Sequence, residues 1–299
     1  MEQVQLSENL SISSIVHGMW RLTDWGFSAK ELIKFVEECQ ALGIDTFDHA
    51  DIYGDYMVEE EFGKALGSVP SLNKQLKIVT KCGIQLLSGN RPNTYIKHYN
   101  TSYDHIIWSA ENSLEKLKRE NIDLLLIHRP DPFNDPSEIA RAFTDLKQSG
   151  KVSEFGVSNY LPAQFDSLQA HLDFPLVTNQ IEISVTALQE FDNGTIDLCQ
   201  EVGISPMAWS PLSGGSVFNG ETHRFLTIRN VLHKISDAHG VTIDQIMYAW
   251  LLKHPANIIP IVGSGKIKRV KRAVDALTID LTRQQWFELW VASKGENVP

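Results

Sequence analysis

Cysteine is scarce in this chain. Cys39, Cys82 and Cys199 stand far apart among 299 residues, are odd in number and form no CxxC pair. A disulfide framework and a zinc cluster are therefore not expected, and no metal is, while a reducing compartment fits. No stretch of about 18 apolar residues occurs, so no membrane-spanning helix is expected. The first ten residues, MEQVQLSENL, are polar and acidic and unlike a signal peptide. Together these absences predict a soluble, cytoplasmic protein. An excess of positive charge is missing too. Lys and Arg number 27 against 37 Asp and Glu, a formal net charge of -10. That balance disfavours nucleic acid or an anionic membrane as partner, and it still allows a local basic pocket for one phosphorylated cofactor. Repeats, low-complexity segments and Gly/Ser/Pro linkers are also absent, which predicts a single domain over residues 1–299.

What the chain does contain is alternation. Short apolar runs occur at Ile15–Trp20, Asp45–His49, Lys77–Lys81, Asp123–His128, Val152–Val157, Leu176–Gln180, Ile204–Trp209 and Ile258–Val262. Each is followed by a stretch with helical apolar spacing, such as Ala29–Leu42, Tyr103–Arg119, Pro136–Ser149 and Lys266–Leu277. The runs are rich in Val, Ile and Leu and do not alternate with polar residues, as expected of parallel strands buried on both faces. Eight such units predict an α/β fold, a (β/α)8 TIM barrel. A doubly wound sheet is the alternative, but it calls for fewer strands and an early phosphate-binding turn. Val4–Ser14 reads as an N-terminal hairpin, and Thr282–Val291 as an extra C-terminal helix.

In a barrel of this kind chemistry gathers at the C-terminal ends of the strands. Those ends carry Asp48 and Tyr53, Lys81, His128, Ser158 and Asn159, Gln180, and Trp209 with Ser210. Buried Asp and Lys are costly unless paired, so Asp48 and Lys81 are expected to meet, with Tyr53 beside the ammonium. A neighbouring Lys favours phenolate and is expected to lower the Tyr53 pKa from about 10. Such a tyrosine can donate a proton to a carbonyl oxygen as hydride arrives, and His128 can orient that oxygen. Singly, each residue has an ordinary structural reading: a capping Asp, a snorkelling Lys, a half-buried Tyr, a core His. Cys82, one residue after Lys81, is expected to point the opposite way.

The segments GIDTFDHADIYG (43–54), IVTKCGI (78–84), LLLIHRPD (124–131), GKVSEFGVSN (150–159), NQIEIS (179–184) and AWSPLSGG (208–215) resemble the aldo-keto reductase family over nearly the whole chain, and within it the bacterial YdhF-like oxidoreductases. The resemblance implies a catalytic tetrad of Asp48, Tyr53, Lys81 and His128. It implies NADPH as cofactor, with NADH disfavoured. Ser158, Asn159 and Gln180 then meet the nicotinamide carboxamide, and Trp209 stacks on the ring where many members carry tyrosine. Ser210, Leu212 and Gly214 underlie the pyrophosphate. After the last strand, Gly263, Ser264 and Arg269 match the adenosine-phosphate segment, Ser264 and Arg269 holding the 2′-phosphate. Gly263 stands where many members have lysine, and Arg272 and Ala273 where many have Glu and Asn. Trp20 and Trp25 are candidate walls of the substrate pocket, and the polar loop from Asn90 to Tyr99 is a candidate shaper of its entrance. The partner implied is a small-molecule carbonyl substrate, and the chain is expected to be a monomer or small homo-oligomer. Rival readings are a Schiff-base aldolase using Lys81 and an NADPH-sensing regulatory subunit, like the barrel subunits attached to some potassium channels.

Overall fold

The computed structural model describes residues Met1–Pro299. Two short strands, β1 (Gln3–Gln5) and β2 (Ser11–Ser13), open the chain as an antiparallel hairpin with Val4 opposite Ile12. The chain continues through β3 (Val16–Gly18), β4 (Thr46–Asp48) and β5 (Lys77–Cys82). A small antiparallel pair follows, β6 (Ile84–Gln85) with β7 (His98–Tyr99). Then come β8 (Ile122–Ile127), β9 (Val152–Ser158), β10 (Asn179–Glu182), β11 (Met207–Trp209) and β12 (Ile259–Val262). Eight of these close into a parallel barrel in the order β3-β4-β5-β8-β9-β10-β11-β12, with β12 pairing back to β3. The expected TIM barrel, N-terminal hairpin and extra C-terminal helix (Arg283–Lys294) are all present.

Side-chain alternation explains the apolar runs. On β8, Leu124 and Leu126 point into the barrel, where they meet Val16, Val79, Met207 and Ile259. Leu125 and Ile127 point outward, into a shell with Ile139, Phe143 and Phe155. Leu10 and Ile12 of the hairpin join the interior cluster, so the hairpin plugs one end of the barrel. The backbone N–H of Ser13 donates to the Asp45 carboxylate just ahead of β4, which places that plug at the N-terminal end. The opposite end stays open for chemistry.

The helices start where local chemistry dictates. Ser28 caps Ala29–Ala41 and Glu31 completes the capping box. Ser102 caps Tyr103–Leu117, while Asp135 followed by Pro136 starts Pro136–Gln148. Gly63 lets the helix Val58–Leu66 touch Tyr103–Leu117. A Cβ there would lie 1.8 Å from the Lys116 carbonyl oxygen.

Three strand boundaries differ by two residues or more from the sequence reading, the seventh strand starting only at Met207 rather than Ile204. The first strand ends at Gly18; Met19 N–H still donates to Asp48 O at 2.9 Å, and Trp20 has left the barrel wall. The sixth is shifted from Leu176–Gln180 to Asn179–Glu182. Val177 N–H already donates to Phe155 O at 2.8 Å, but the Thr178 hydroxyl is spent on Ser205 O, and pairing with β11 begins only at Gln180. That pairing runs on to Glu182, opposite Trp209. The shift carries Glu182 to the mouth.

Candidate active site

Asp48, Tyr53, Lys81 and His128 converge at the open end. Lys81 and Val79 share the inward face of β5, whereas Cys82 sits in the outer shell as expected. The Lys81 ammonium is buried and has three N–H donors. It donates to Asp48 Oδ2 at 2.8 Å, to the His49 carbonyl at 2.7 Å and to Tyr53 Oη at 3.0 Å. Burial pushes the Lys81 pKa down, but Asp48 and Tyr53 together outweigh it and the value is raised. A lysine held protonated with every donor engaged is unsuited to the amine attack of a Schiff-base aldolase.

The phenol differs from the sequence expectation. Burial raises the Tyr53 pKa, and the opposing pull of Lys81, helped by Arg129, does not overcome it because Asp48 pushes the same way as burial. Tyr53 is therefore a neutral phenol near pH 7. Its oxygen accepts from Lys81, so its own proton is free to point elsewhere. His128 meets the Tyr53 ring edge-on, with centroids 5.9 Å apart. Burial, and the positive charges of Lys81, Arg129 and Lys97, push the His128 pKa well below its usual value, so the imidazole is neutral. Its Nδ1 is buried without a partner.

The residues assigned to the carboxamide contact are wired to the tetrad and to one another. Gln180 Nε2 donates to Asp48 Oδ1 at 2.8 Å. The Ser158 hydroxyl donates to Gln180 O, Asn159 Nδ2 to Ser158 Oγ, and Trp209 Nε1 to Asn159 Oδ1, all within 2.9 Å. One hydrogen-bonded chain thus runs from Trp209 through Asn159, Ser158, Gln180, Asp48 and Lys81 to Tyr53. Asn159 and Ser210 adopt left-handed backbone, with φ of 60° and 51°. Leu212 and Gly214 lie in the turn that follows β11.

Past β12, Gly263 is exposed and Ser264 is anchored. Its carbonyl lies 3.1 Å from His17 Nε2, and burial pushes the His17 pKa down to about 4. A neutral imidazole with its proton on Nε2 makes that bond. Arg269 is exposed and its side chain has no partner. Arg272 Nε, by contrast, lies 2.8 Å from Asp244 Oδ2, an ion pair whose N–H is not aligned for a hydrogen bond.

Trp25 lies under the loop that follows the last barrel strand. Its ring packs with His17, Phe27 and Phe35. A Cβ on Gly265 would lie 2.6 Å from that ring, so Trp25 is the floor of the Ser264 loop. Trp20 is 59% exposed on the loop leaving β3, in contact with the Arg21 guanidinium.

The polar loop from Asn90 to Tyr99 was a candidate shaper of the entrance, whereas the anchors that hold it and Arg129 escaped the sequence reading. The loop between β6 and β7 is pinned beside Tyr53: Asn90 Nδ2 donates to Asp55 O at 2.8 Å, Leu86 N–H to Tyr56 Oη at 2.8 Å, and Arg91 lies between the Tyr56 and Trp108 rings. Asp55 and Tyr56 are held in left-handed backbone there. Arg129 follows His128 and lies over the Trp209 ring at 5.4 Å. Only the direct succession of Arg129 on His128 was a usable signal.

The model of the aldo/keto reductase family matches residues 14–291. The oxidoreductase YdhF of Escherichia coli K12 is 49% identical, with 96% of this chain and 95% of that protein aligned. A 6-dehydroglucose reductase of Agrobacterium fabrum is 43% identical over the full length of both chains. Among solved structures, a thermostable aldo-keto reductase in complex with the inhibitor epalrestat superposes with a TM-score of 0.81 at 25% identity, covering 98% of this chain and 99% of the other. By family model, by sequence and by fold, this chain belongs to the aldo/keto reductase family.

Proposed function

We propose that this oxidoreductase reduces an aldehyde or ketone to an alcohol, with Tyr53 as the proton donor and NADPH as the cofactor. The arrangement that carries the reading is the Lys81 hub. Its three donors fix Asp48, the β4 backbone and Tyr53 Oη, and they leave the Tyr53 proton free at the mouth. NADPH, when bound, supplies the hydride. The chain's own groups handle the oxygen. His128, neutral, is suited to donate a hydrogen bond to the carbonyl oxygen, and Tyr53 gives that oxygen its proton. Lys81 then stabilises the phenolate left behind, and Asp48 keeps Lys81 charged. The relatives named 6-dehydroglucose reductase, at 43% and 36% identity, support a sugar aldehyde as the kind of substrate.

The cofactor assignment rests on the Ser264 loop. Arg269 is unpaired and exposed beside a loop that His17 and Trp25 hold in place, and a planar guanidinium suits a phosphate. Arg269→Ala is expected to weaken NADPH binding by about 1.5–3 kcal/mol and to leave NADH binding nearly unchanged. Equal affinity of the wild type for the two cofactors contradicts this. A panel of aldehydes and ketones assayed by NADPH oxidation tests the activity. Tight NADPH binding without turnover of any of them would favour the regulatory reading.

A further inference from the structure

The guanidinium of Arg129 is an unmatched charge in a place where charges are expensive. It is half-buried at the end of β8, next to His128 in sequence, and its side chain makes no hydrogen bond and no ion pair. Its one recorded contact is the Trp209 ring, 5.4 Å from its carbon to the ring centroid. Its charge reaches both proposed reacting groups, holding down the pKa values of Tyr53 and His128. Glu182 stands on β10, the strand neighbouring that of Trp209. It pairs with Trp209 in the β10–β11 register and is two residues beyond Gln180, so it shares the inward face from which Gln180 reaches Asp48. Burial pushes the Glu182 carboxyl up and the Arg129 charge pulls it back, although the two groups form no ion pair. A donor-only cation and an acceptor-only carboxylate therefore flank the mouth without satisfying each other.

We propose that Arg129 and Glu182 are specificity-determining residues that together read hydroxyl groups next to the reacting carbonyl, so that the enzyme's substrate is a polyhydroxylated aldehyde or ketone. This rests on the carbonyl-reduction reading above. A hydroxyl accepts from the guanidinium through its oxygen and donates to the carboxylate through its hydrogen. A carboxylate-bearing substrate satisfies Arg129 but is repelled by Glu182, and an alkyl chain satisfies neither.

The experiment compares kcat/KM, with NADPH, for D-glyceraldehyde, propanal and glyoxylate in the wild type, Arg129→Met, Arg129→Lys and Glu182→Ala. The wild type is expected to prefer D-glyceraldehyde to propanal. That ratio should fall by about tenfold or more in Arg129→Met and in Glu182→Ala, with part of it restored in Arg129→Lys. The Kd for NADPH should stay within about twofold in all four proteins, which also reports that each is folded. An unchanged ratio overturns the proposal. So does a wild-type preference for glyoxylate, which would make Arg129 an anion anchor. A weakened NADPH Kd with the ratio intact would move Arg129 to the cofactor. A wild type that binds NADPH but reduces none of the three refutes the carbonyl-reduction reading itself, and this inference with it.

Discussion

Two buried acids stand three residues apart at the end of β4, and their surroundings could hardly differ more. Asp48 points into the barrel mouth and meets a cation, Lys81, at 2.8 Å. Asp51 is equally buried on the helix side, where its carboxyl accepts from the Ser109 hydroxyl and meets no cation in an ion pair. Nearby, Glu59 is held by Thr80 and Ser113 hydroxyls, again without an ion pair. Burial, reinforced by the Glu59 charge, pushes the Asp51 pKa up to about 8. Inside the mouth the protein keeps an ionic pair beside the Tyr53 hydroxyl. Behind it, the same residue type is a protonated, uncharged packing group. Burial sets the cost in both places, and the presence or absence of a cation decides the outcome.

If that contrast is right, the largest effect comes from the hub. Lys81→Met is expected to cut carbonyl reduction by about 10²–10⁴, because it removes the group that positions Tyr53 and stabilises its phenolate. Combined with Tyr53→Phe the losses should not add, since the two act as one unit. Steady-state rates of the two single variants and the double variant check this.

Stability sharpens the comparison next. Asp48→Asn strands the Lys81 charge in a buried site, a loss of about 3–5 kcal/mol. Asp51→Asn replaces an already neutral acid with a neutral amide, and near pH 6 it should cost no stability. Urea unfolding of the two variants measures the difference. If both cost the same, the distinction between matched and unmatched acid fails.

The pH dependence is the subtlest effect. A carboxyl whose folded pKa is raised binds more protons in the folded than in the unfolded state, so its contribution to stability falls as pH rises. For Asp51 the window runs from its unfolded value near 4 to about 8. Asp51→Asn should therefore gain stability relative to the wild type across that window and run parallel to it above. Unfolding midpoints of both proteins across pH 5 to about 9 test the sign.

Much of this was legible in the sequence because it depends on spacing. Eight apolar runs buried on both faces dictate the barrel, and the strand ends point to Asp48, Lys81 and His128. Alternation along β5 also puts Cys82 on the outer side. Less legible was whatever depends on where a strand stops or a loop returns. Glu182 reaches the mouth only because β10 runs two residues past Gln180. Trp25 lies on the loop after the first strand, and that loop folds its ring under Gly265. The lowered Tyr53 pKa expected from a neighbouring lysine was overturned by burial, a quantity no local pattern reports.

The most direct test is Tyr53→Phe, which keeps the ring and its packing against His128 and deletes only the hydroxyl. Single-turnover reduction of an aldehyde by NADPH-loaded protein should slow by about 10²–10⁴, with NADPH affinity and thermal stability close to wild type. A variant that folds, binds NADPH and reduces the aldehyde at near wild-type rate would show that Tyr53 is not the proton donor.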